Sequence, residues 1–315
     1  GAARPVPRLE GQSVRGGGVL DHGRPRGACP GRLPPDTEVH PSALKLAYTV
    51  GTPEVHSFPF GWVGGSERAL GCLADIGYDG LELQTRDTAA FDWDRFRAQV
   101  RGAGLEIAAV STGAVGTDKL RLVDPDADVR RQAIARCLGA VRLAHEYDAH
   151  ASVGGVRGWL RSAPDAATGW EWFEQALGQI TRVAEPLGVR ILIEPMARHV
   201  SDFLNSFDET AAFIRRFGSP ILGFEGDLFH MSAEEKSIPA ALVSGCLAGY
   251  LGHVQLSDSG HCVPGDGDVH WVDVIETLRA LGYDGWLSME IEQKPDSATC
   301  ARRAHDFIRP LLGSN

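Results

Sequence analysis

VRILIE, residues 189–194, is an apolar run that ends in a carboxylate, and apolar runs with an oxygen-bearing polar residue at or near their end recur three times downstream. The later examples are ILGFEGD (221–227), YLGHVQL (250–256) and GWLSME (285–290). Their polar residues, at successive gaps of 33, 28 and 35 residues, are Glu194, Asp227, Gln255 and Glu290. One strand, one helix and two loops need about 30 residues, so each gap fits one βα unit. The spacing therefore predicts that each polar residue lies near the C-terminal end of its own strand.

The rest of the chain alternates short apolar segments with longer stretches of helical periodicity, which is typical of βα units and a parallel sheet. The eight candidate strands are residues 44–50, 80–84, 105–110, 149–154, 189–194, 221–225, 250–256 and 285–290. The clearest candidate helices are 126–144, 170–187, 208–217, 237–247 and 272–281, with predicted caps at Asp126, at Ser206 or Asp208, and at Asp268. The first strand is not followed by a Gly-rich loop, as an open nucleotide-binding sheet requires. Eight such units favour an α/β fold closed as a (β/α)8 TIM barrel.

Residues 1–42 differ in composition from the remainder of the 315-residue chain. They are rich in Gly, Pro and Arg and lack periodic apolar residues, so they cannot bury enough surface to offset the entropy of ordering. We therefore expect residues 1–42 to be a disordered or non-native extension and residues 43–315 to form one catalytic barrel domain.

Charge and composition limit the classes of partner. A net charge of −10 disfavours a nucleic-acid-binding surface, which is normally basic. The apolar runs are too short to span a membrane. The six cysteines are scattered without a CxxC pair, which predicts reduced thiols in a cytoplasmic protein. The expected partner is thus a small molecule.

Strand C-termini in a closed barrel face one shared mouth, where active sites are built. Three carboxylates and an amide that converge there would repel one another unless a divalent cation is bound between them. Oxygen ligands favour Mg²⁺ or Mn²⁺, whereas zinc sites prefer His and Cys. The sequence therefore predicts one metal site formed by Glu194, Asp227, Gln255 and Glu290.

Three histidines are close to these residues in sequence. His230 follows Asp227 by three positions, His253 precedes Gln255 by two and faces the same side of its strand, and His261 lies in the next loop. Each is a candidate substrate contact, although a metal ligand or a packed core histidine would fit the same pattern. Further candidates for the pocket are Glu82, Arg157, Trp159, Arg198, His199 and the aromatic loop 56–62.

Several motifs together resemble the sugar isomerase/epimerase superfamily of xylose isomerase-like barrels, over about residues 44–312. They are Glu194-Pro195, Asp227-x-x-His230-Met231, His253-x-Gln255, Pro264-Gly265-x-Gly267 and the strand-terminal Glu290. This superfamily includes ketose 3-epimerases, hydroxypyruvate isomerase and inosose dehydratase. Its members are often dimers or tetramers, so the resemblance implies a possible homo-oligomer.

The resemblance also implies roles for individual residues. Glu194, Asp227, Gln255 and Glu290 would hold the metal, Glu194 and Glu290 would act as the acid/base pair, and His230 would contact a substrate oxygen. Gln255 stands where the epimerases usually have His, and in this it is closer to hydroxypyruvate isomerase. The epimerases often carry Arg at the position of His261.

We therefore expect a divalent-metal-dependent isomerase or epimerase that moves a proton on a sugar, polyol or related hydroxy-ketone through a metal-stabilised enediolate. A metal-dependent dehydratase of the inosose or dehydroshikimate type would use the same residues and remains an alternative. A non-catalytic subunit on the same barrel is a further alternative. A DNA-repair endonuclease on this barrel would need several zinc ions, more histidines and a basic face, none of which the sequence favours.

Overall fold

A computed structural model of the chain describes residues 44–64 and 66–313 and shows a closed barrel of eight parallel strands. The strands are β1 (Lys45–Gly51), β2 (Gly80–Gln84), β3 (Glu106–Ser111), β4 (His150–Val153), β5 (Ile191–Ile193), β6 (Leu222–Asp227), β7 (Leu251–Leu256) and β8 (Trp286–Met289). Each strand pairs with the next in sequence, and β8 pairs with β1. All eight predicted strands and the (β/α)8 barrel are confirmed. The predicted extension, residues 1–42, lies outside the described residues.

Helices follow the strands around the outside of the barrel. In the described residues they are α1 (Ser66–Ile76), α2 (Trp93–Gly102), α3 (Gly113–Thr117), α4 (Ala127–Glu146), α5 (Ala166–Leu187), α6 (Phe207–Phe217), α7 (Leu228–Glu234), α8 (Ile238–Leu247), α9 (Trp271–Ala280) and α10 (Ser297–Leu311). Asp126 and Ser206 accept hydrogen bonds from the first turns of α4 and α6, as predicted. The prediction of a cap at Asp268 is wrong, because α9 begins after His270, which makes no side-chain cap bond.

An apolar layer between strands and helices forms the core, and its densest aromatic cluster lies under α5. Phe173 is fully buried, with its ring centroid 5.1 Å from that of Phe203, 5.5 Å from Phe213 and 6.2 Å from Trp170. Edge-to-face and tilted contacts of this kind add to the gain from burial. The cluster packs α5 and α6 against Phe203, in the loop that follows β5.

Two further sequence predictions concern thiols and membranes. Cys72, Cys137, Cys262 and Cys300 are free thiols, as predicted. Among the described helices, none combines the length and apolarity needed to cross a bilayer.

Replacing Phe173 with alanine tests the aromatic cluster. We expect Phe173→Ala to lower the free energy of unfolding by about 3–5 kcal/mol, because it leaves a cavity among three rings. Leu247→Ala is the control, since Leu247 is 56% exposed and should shift stability by only about 0.5 kcal/mol. Urea unfolding followed by circular dichroism measures both; equal effects would mean that the cluster does not stabilise the barrel.

Candidate metal centre

Three buried carboxylates meet at the C-terminal mouth of the barrel. Glu194 directly follows β5, Asp227 is the last residue of β6, and Glu290 directly follows β8. Each offers a carboxylate oxygen, and these three oxygens lie within 4.8 Å of one another. The structure thus brings together three of the four predicted ligands from three separate strands.

The local backbone explains how Asp227 and Glu194 are held. Asp227 caps α7, and its Oδ1 accepts hydrogen bonds from the Phe229 amide at 2.8 Å and from Ser257 Oγ at 3.2 Å. Its Oδ2 is buried without a hydrogen-bond partner. A Cβ on Gly154 would collide with Glu194 Oε2, so glycine at this position leaves room for the Glu194 side chain.

Gln255, the fourth predicted ligand, pairs with Asp227 across the β6–β7 ladder. Its Nε2 donates to Glu82 Oε1 at 2.7 Å, while its Oε1 is buried and has no partner. Buried polar atoms normally have partners, and these oxygens on Asp227 and Gln255 are free to bind a cation. Oxygen donors of this kind fit a hard divalent cation such as Mg²⁺ or Mn²⁺.

The electrostatics of the cluster favour a bound cation. Burial, reinforced by the charges of Glu82, Glu194 and Asp227, raises the pKa of Glu290 well above its usual range. Burial and the charge of Glu194 also raise the pKa of Asp227, against the opposing charges of His230 and His261. Like charges forced together in a low dielectric disfavour ionisation, and a divalent cation removes that penalty.

His230 contacts the carboxylate cluster directly. Its Nδ1 accepts a hydrogen bond from the Ala197 amide at 3.2 Å, so Nε2 is the ring nitrogen that carries a proton. Nε2 lies 3.4 Å from Glu194 Oε1 and 3.8 Å from Asp227 Oδ2. The ring therefore presents an N–H group beside the predicted acid/base and metal ligands.

A cavity of 380 Å³ opens above the cluster. Glu194, Glu290, His230 and His261 line its floor and one side, and its walls include Phe58, Pro59, Phe60, Trp159, His199 and Phe229. The His261 ring lies between two of these walls, with centroid distances of 3.9 Å to Phe60 and 4.0 Å to Phe229. The volume is in the range of small-molecule sites, and the loop 56–62 contributes an aromatic wall as expected.

Two of the predicted substrate-binding residues do not line this cavity. His253 is fully buried inside the barrel, where its Nε2 lies 3.1 Å from Glu82 Oε2 and 2.8 Å from Ser288 Oγ. The Arg198 side chain is 70% exposed and pairs with Glu234 at 3.0 Å, because the loop after β5 directs it outward. The structure therefore places neither residue where it would touch a molecule in the cavity.

Arg157 also has a different position from the one expected. It is fully buried, and its guanidinium donates to the carbonyl oxygens of Glu194 and Leu204 and to Ser201 Oγ. These bonds join the end of β5 to the loop that follows it. Arg157 thus holds the Glu194 backbone in place instead of reaching the cavity.

A second polar layer lies directly below the mouth and was largely missed from the sequence. Glu82, Glu225 and His253 offer polar atoms within 4.8 Å of one another. Burial opposes ionisation of Glu82, but hydrogen bonds from His253, Ser111 and Ser288 hold the pKa of Glu82 below its usual value. Burial and the charges of Glu82 and Glu194 raise the pKa of Glu225 well above its usual range.

A period-two signal in the sequence could have found this lower layer. The polar residues at the mouth form an upper layer above it. On four strands a buried polar residue of the lower layer precedes a residue of the upper layer by two positions. Side chains two positions apart share one face of a strand. The pairs are Glu82 and Gln84, Glu225 and Asp227, His253 and Gln255, and Ser288 and Glu290.

The fold and this cluster define a (β/α)8 barrel with an acidic site at its mouth, and comparison with known proteins agrees. Residues 71–311 match the family model described as xylose isomerase-like TIM barrel. The chain therefore belongs to the xylose isomerase-like TIM barrel family.

Individual relatives narrow the class of enzyme. The chain is 26% identical over 225 residues to the D-psicose 3-epimerase of Ruminiclostridium cellulolyticum, covering 69% of this chain and 75% of that protein. It is 27% identical over 248 residues to the L-ribulose 3-epimerase of Mesorhizobium japonicum, covering 75% and 80%. The crystal structure of the 3-keto-D-glucoside 4-epimerase from E. coli superposes with a TM-score of 0.71 at 19% identity, covering 85% and 99%. The sequence relatives support an isomerase-type enzyme, and the superposition confirms the fold.

The glycine beside Glu194 provides a test of the site geometry. We expect Gly154→Ala to weaken Mn²⁺ binding at least ~10-fold with the fold retained, because the new methyl group displaces the Glu194 carboxylate. Gly178→Ala, in α5 with open space around it, is the matched control and should bind Mn²⁺ normally. Electron paramagnetic resonance of free Mn²⁺ measures both affinities. Unchanged binding by Gly154→Ala would show that the Glu194 carboxylate does not need its present position to support metal binding.

Proposed function

We propose that this chain is a divalent-metal-dependent epimerase or isomerase of a sugar or a related hydroxy-ketone. The observation that carries the proposal is the convergence of Glu194, Asp227 and Glu290 on one point, with free buried oxygens on Asp227 and Gln255, below a small-molecule cavity. The D-psicose and L-ribulose 3-epimerases among its sequence relatives support the same class of reaction.

Glu194, Asp227, Gln255 and Glu290 would hold one Mn²⁺ or Mg²⁺ ion. When bound, such a cation polarises a carbonyl and a neighbouring hydroxyl and so makes the C–H group between them more acidic. The four protein ligands are all oxygen atoms from side chains at strand ends, which suits either ion. Because their strands are part of a closed barrel, the ligand set is held in place before the substrate arrives.

The proton transfer would be made by Glu194 and Glu290, both of which line the cavity. One carboxylate removes the proton from carbon, and the other, already protonated, donates its own proton to the opposite face or to the adjacent carbon. His230 can donate its Nε2–H group to a substrate oxygen beside Glu194. The aromatic walls, Phe58, Phe60, Trp159 and Phe229, would pack on the apolar face of the substrate and exclude water.

Dehydration would begin with the same proton abstraction and end with loss of a β-hydroxyl. The relatives named above are epimerases and give no support to this alternative. A non-catalytic subunit would not need the matched pair of acid/base groups that Glu194 and Glu290 provide in the cavity.

Hydrogen exchange with solvent tests the proposed chemistry. We expect the protein with Mn²⁺ to incorporate deuterium from D₂O into ketohexoses or ketopentoses at the carbon next to the carbonyl, without loss of water. Removal of the metal with EDTA should abolish exchange, and Mn²⁺ should restore it. Mass spectrometry measures both outcomes. Loss of the mass of one water from the substrate would instead indicate a dehydratase, and absence of exchange across a panel of ketoses, inososes and hydroxy-keto acids would contradict the proposal.

Substitution of Glu290 tests the acid/base pair. We expect Glu290→Gln to lower turnover at least ~100-fold, since positioned acid–base groups typically contribute ~10²–10⁴ in rate. Glu292→Gln is the control, because that side chain is partly exposed and pairs with Lys294 outside the cluster. Steady-state kinetics at saturating Mn²⁺ compares the two variants. Near-normal turnover in Glu290→Gln would remove Glu290 from the mechanism.

A further inference from the structure

The orientation of the Gln255 amide decides whether this residue can bind a cation. One end of the amide is an acceptor oxygen and the other is a donor NH₂ group, and the two ends have nearly the same shape. Only the oxygen can bind a cation. In the structure the NH₂ end faces Glu82 at 2.7 Å, and the oxygen is the end that is buried without a partner.

Glu82 is surrounded by donors. Its Oε1 accepts from Ser111 Oγ at 2.7 Å as well as from Gln255, and its Oε2 accepts from Ser288 Oγ and lies 3.1 Å from His253 Nε2. These partners come from β3, β7 and β8, so the carboxylate is fixed from three other strands. A carboxylate held in this way cannot rotate to suit a different arrangement of Gln255.

Reversal of the Gln255 amide would place two acceptor oxygens in contact. Gln255 Oε1 would then lie about 2.7 Å from Glu82 Oε1, the present length of the hydrogen bond. The NH₂ group would point toward the carboxylate cluster. Both changes are unfavourable, because acceptors repel each other and a cation repels a donor. Glu82 therefore selects one of the two amide orientations.

We propose that Glu82 is a positioning residue that directs the carbonyl oxygen of Gln255 into the metal centre. Glu82 does not line the cavity and is not itself a ligand; it acts through Gln255. Glu82 also contacts the amide of Gln84, whose Nε2 lies 3.5 Å from Glu82 Oε1. The same Nε2 donates to Glu290 Oε1 at 3.1 Å, so Gln84 likewise joins Glu82 to a proposed metal ligand. This inference depends on the cation site proposed above.

The main test compares Glu82→Gln with the wild-type protein by titration with Mn²⁺ alone. An amide at position 82 has one acceptor oxygen, whereas the Glu82 carboxylate accepts on both of its oxygens, so the NH₂ group of the amide must face either Gln255 or Ser288. We expect Glu82→Gln to weaken Mn²⁺ binding by about 10–100-fold, which is typical when the support of a ligand is disturbed. Glu225→Gln is the matched control: Glu225 is also a fully buried glutamate of the lower layer, but it bonds to Ser152 and not to Gln255. Glu225 shares the neighbour His253 with Glu82, so this control keeps the surroundings of the lower layer and differs in its lack of a bond to Gln255. It should bind Mn²⁺ within about threefold of wild type.

A spectroscopic measurement separates loss of the ligand from a general electrostatic effect. The visible absorption of bound Co²⁺ reports its coordination. We expect the Co²⁺ spectrum of Glu82→Gln to match that of Gln255→Leu, which lacks the ligand oxygen, and to differ from the wild-type and Glu225→Gln spectra. Weaker binding with an unchanged spectrum would overturn the inference, because Glu82 would then act only through its charge.

The double variant Glu82→Gln with Gln255→Glu exchanges donor and acceptor across the same contact. A glutamate at position 255 has an oxygen at both ends, so it can accept from the amide introduced at position 82 and still face the cation. We expect this variant to bind Mn²⁺ at least ~5-fold more tightly than Glu82→Gln, as a coupled pair should. It also decides the question if Glu82→Gln does not fold, because Mn²⁺ affinity near the wild-type value would then still support the inference and failure to bind would overturn it.

Failure of the proposed metal centre and failure of the proposed role of Glu82 give different results. Absence of Mn²⁺ and Mg²⁺ binding by the wild-type protein would overturn the proposed metal centre and this inference with it. Wild-type binding that Glu82→Gln leaves unchanged would overturn only the role of Glu82.

Discussion

The repulsion between three buried carboxylates, Glu194, Asp227 and Glu290, is the interaction on which the upper part of the barrel depends. Each residue ends a different strand, so the cluster persists because the closed sheet holds the three strand ends together. His230 offsets part of the repulsion, and a divalent cation would offset the rest. A site of this kind is unfavourable by itself and is maintained by the stability of the scaffold around it.

The polar interior of the barrel is organised in two layers that share the same strands. The upper layer carries the carboxylates and amides proposed to bind and react, and two of them, Glu194 and Glu290, line the cavity. The lower layer, centred on Glu82 and His253, is fully buried and hydrogen-bonded to the upper one. Its polar groups replace apolar packing below the mouth, which indicates that the barrel sacrifices some hydrophobic stabilisation to orient the side chains above.

The sequence was sufficient to predict the barrel and the strand ends, because regular spacing reports the βα repeat and each of the four strands with candidate ligands has a polar residue within one position of its C-terminal end. The sequence was less informative about how deep each side chain lies in the barrel and about the direction in which loop side chains point. Period-two alternation places His253 on the same face as Gln255, but two residues along a strand are about 6.6 Å apart, and only the structure shows the depth at which each lies. Arg198 follows Glu194 closely, yet the turn of the loop directs it to Glu234. Loop conformation has no comparable periodic signal.

The pairing of the two layers also constrains how such a barrel can change. A slip of one residue in β7 would turn both His253 and Gln255 toward the helices. The lower-layer residue and the proposed metal ligand would then be lost together. Insertions within these strands would therefore disturb both layers together. In the segment beyond the end of β1, Phe60 and Trp62 are hydrogen-bonded to Ile291 and to β1, whereas residues 56–59 are exposed or half-buried and can vary more freely. Redesign for a different substrate has most freedom in residues 56–59, and the register of the strands is the part to leave intact.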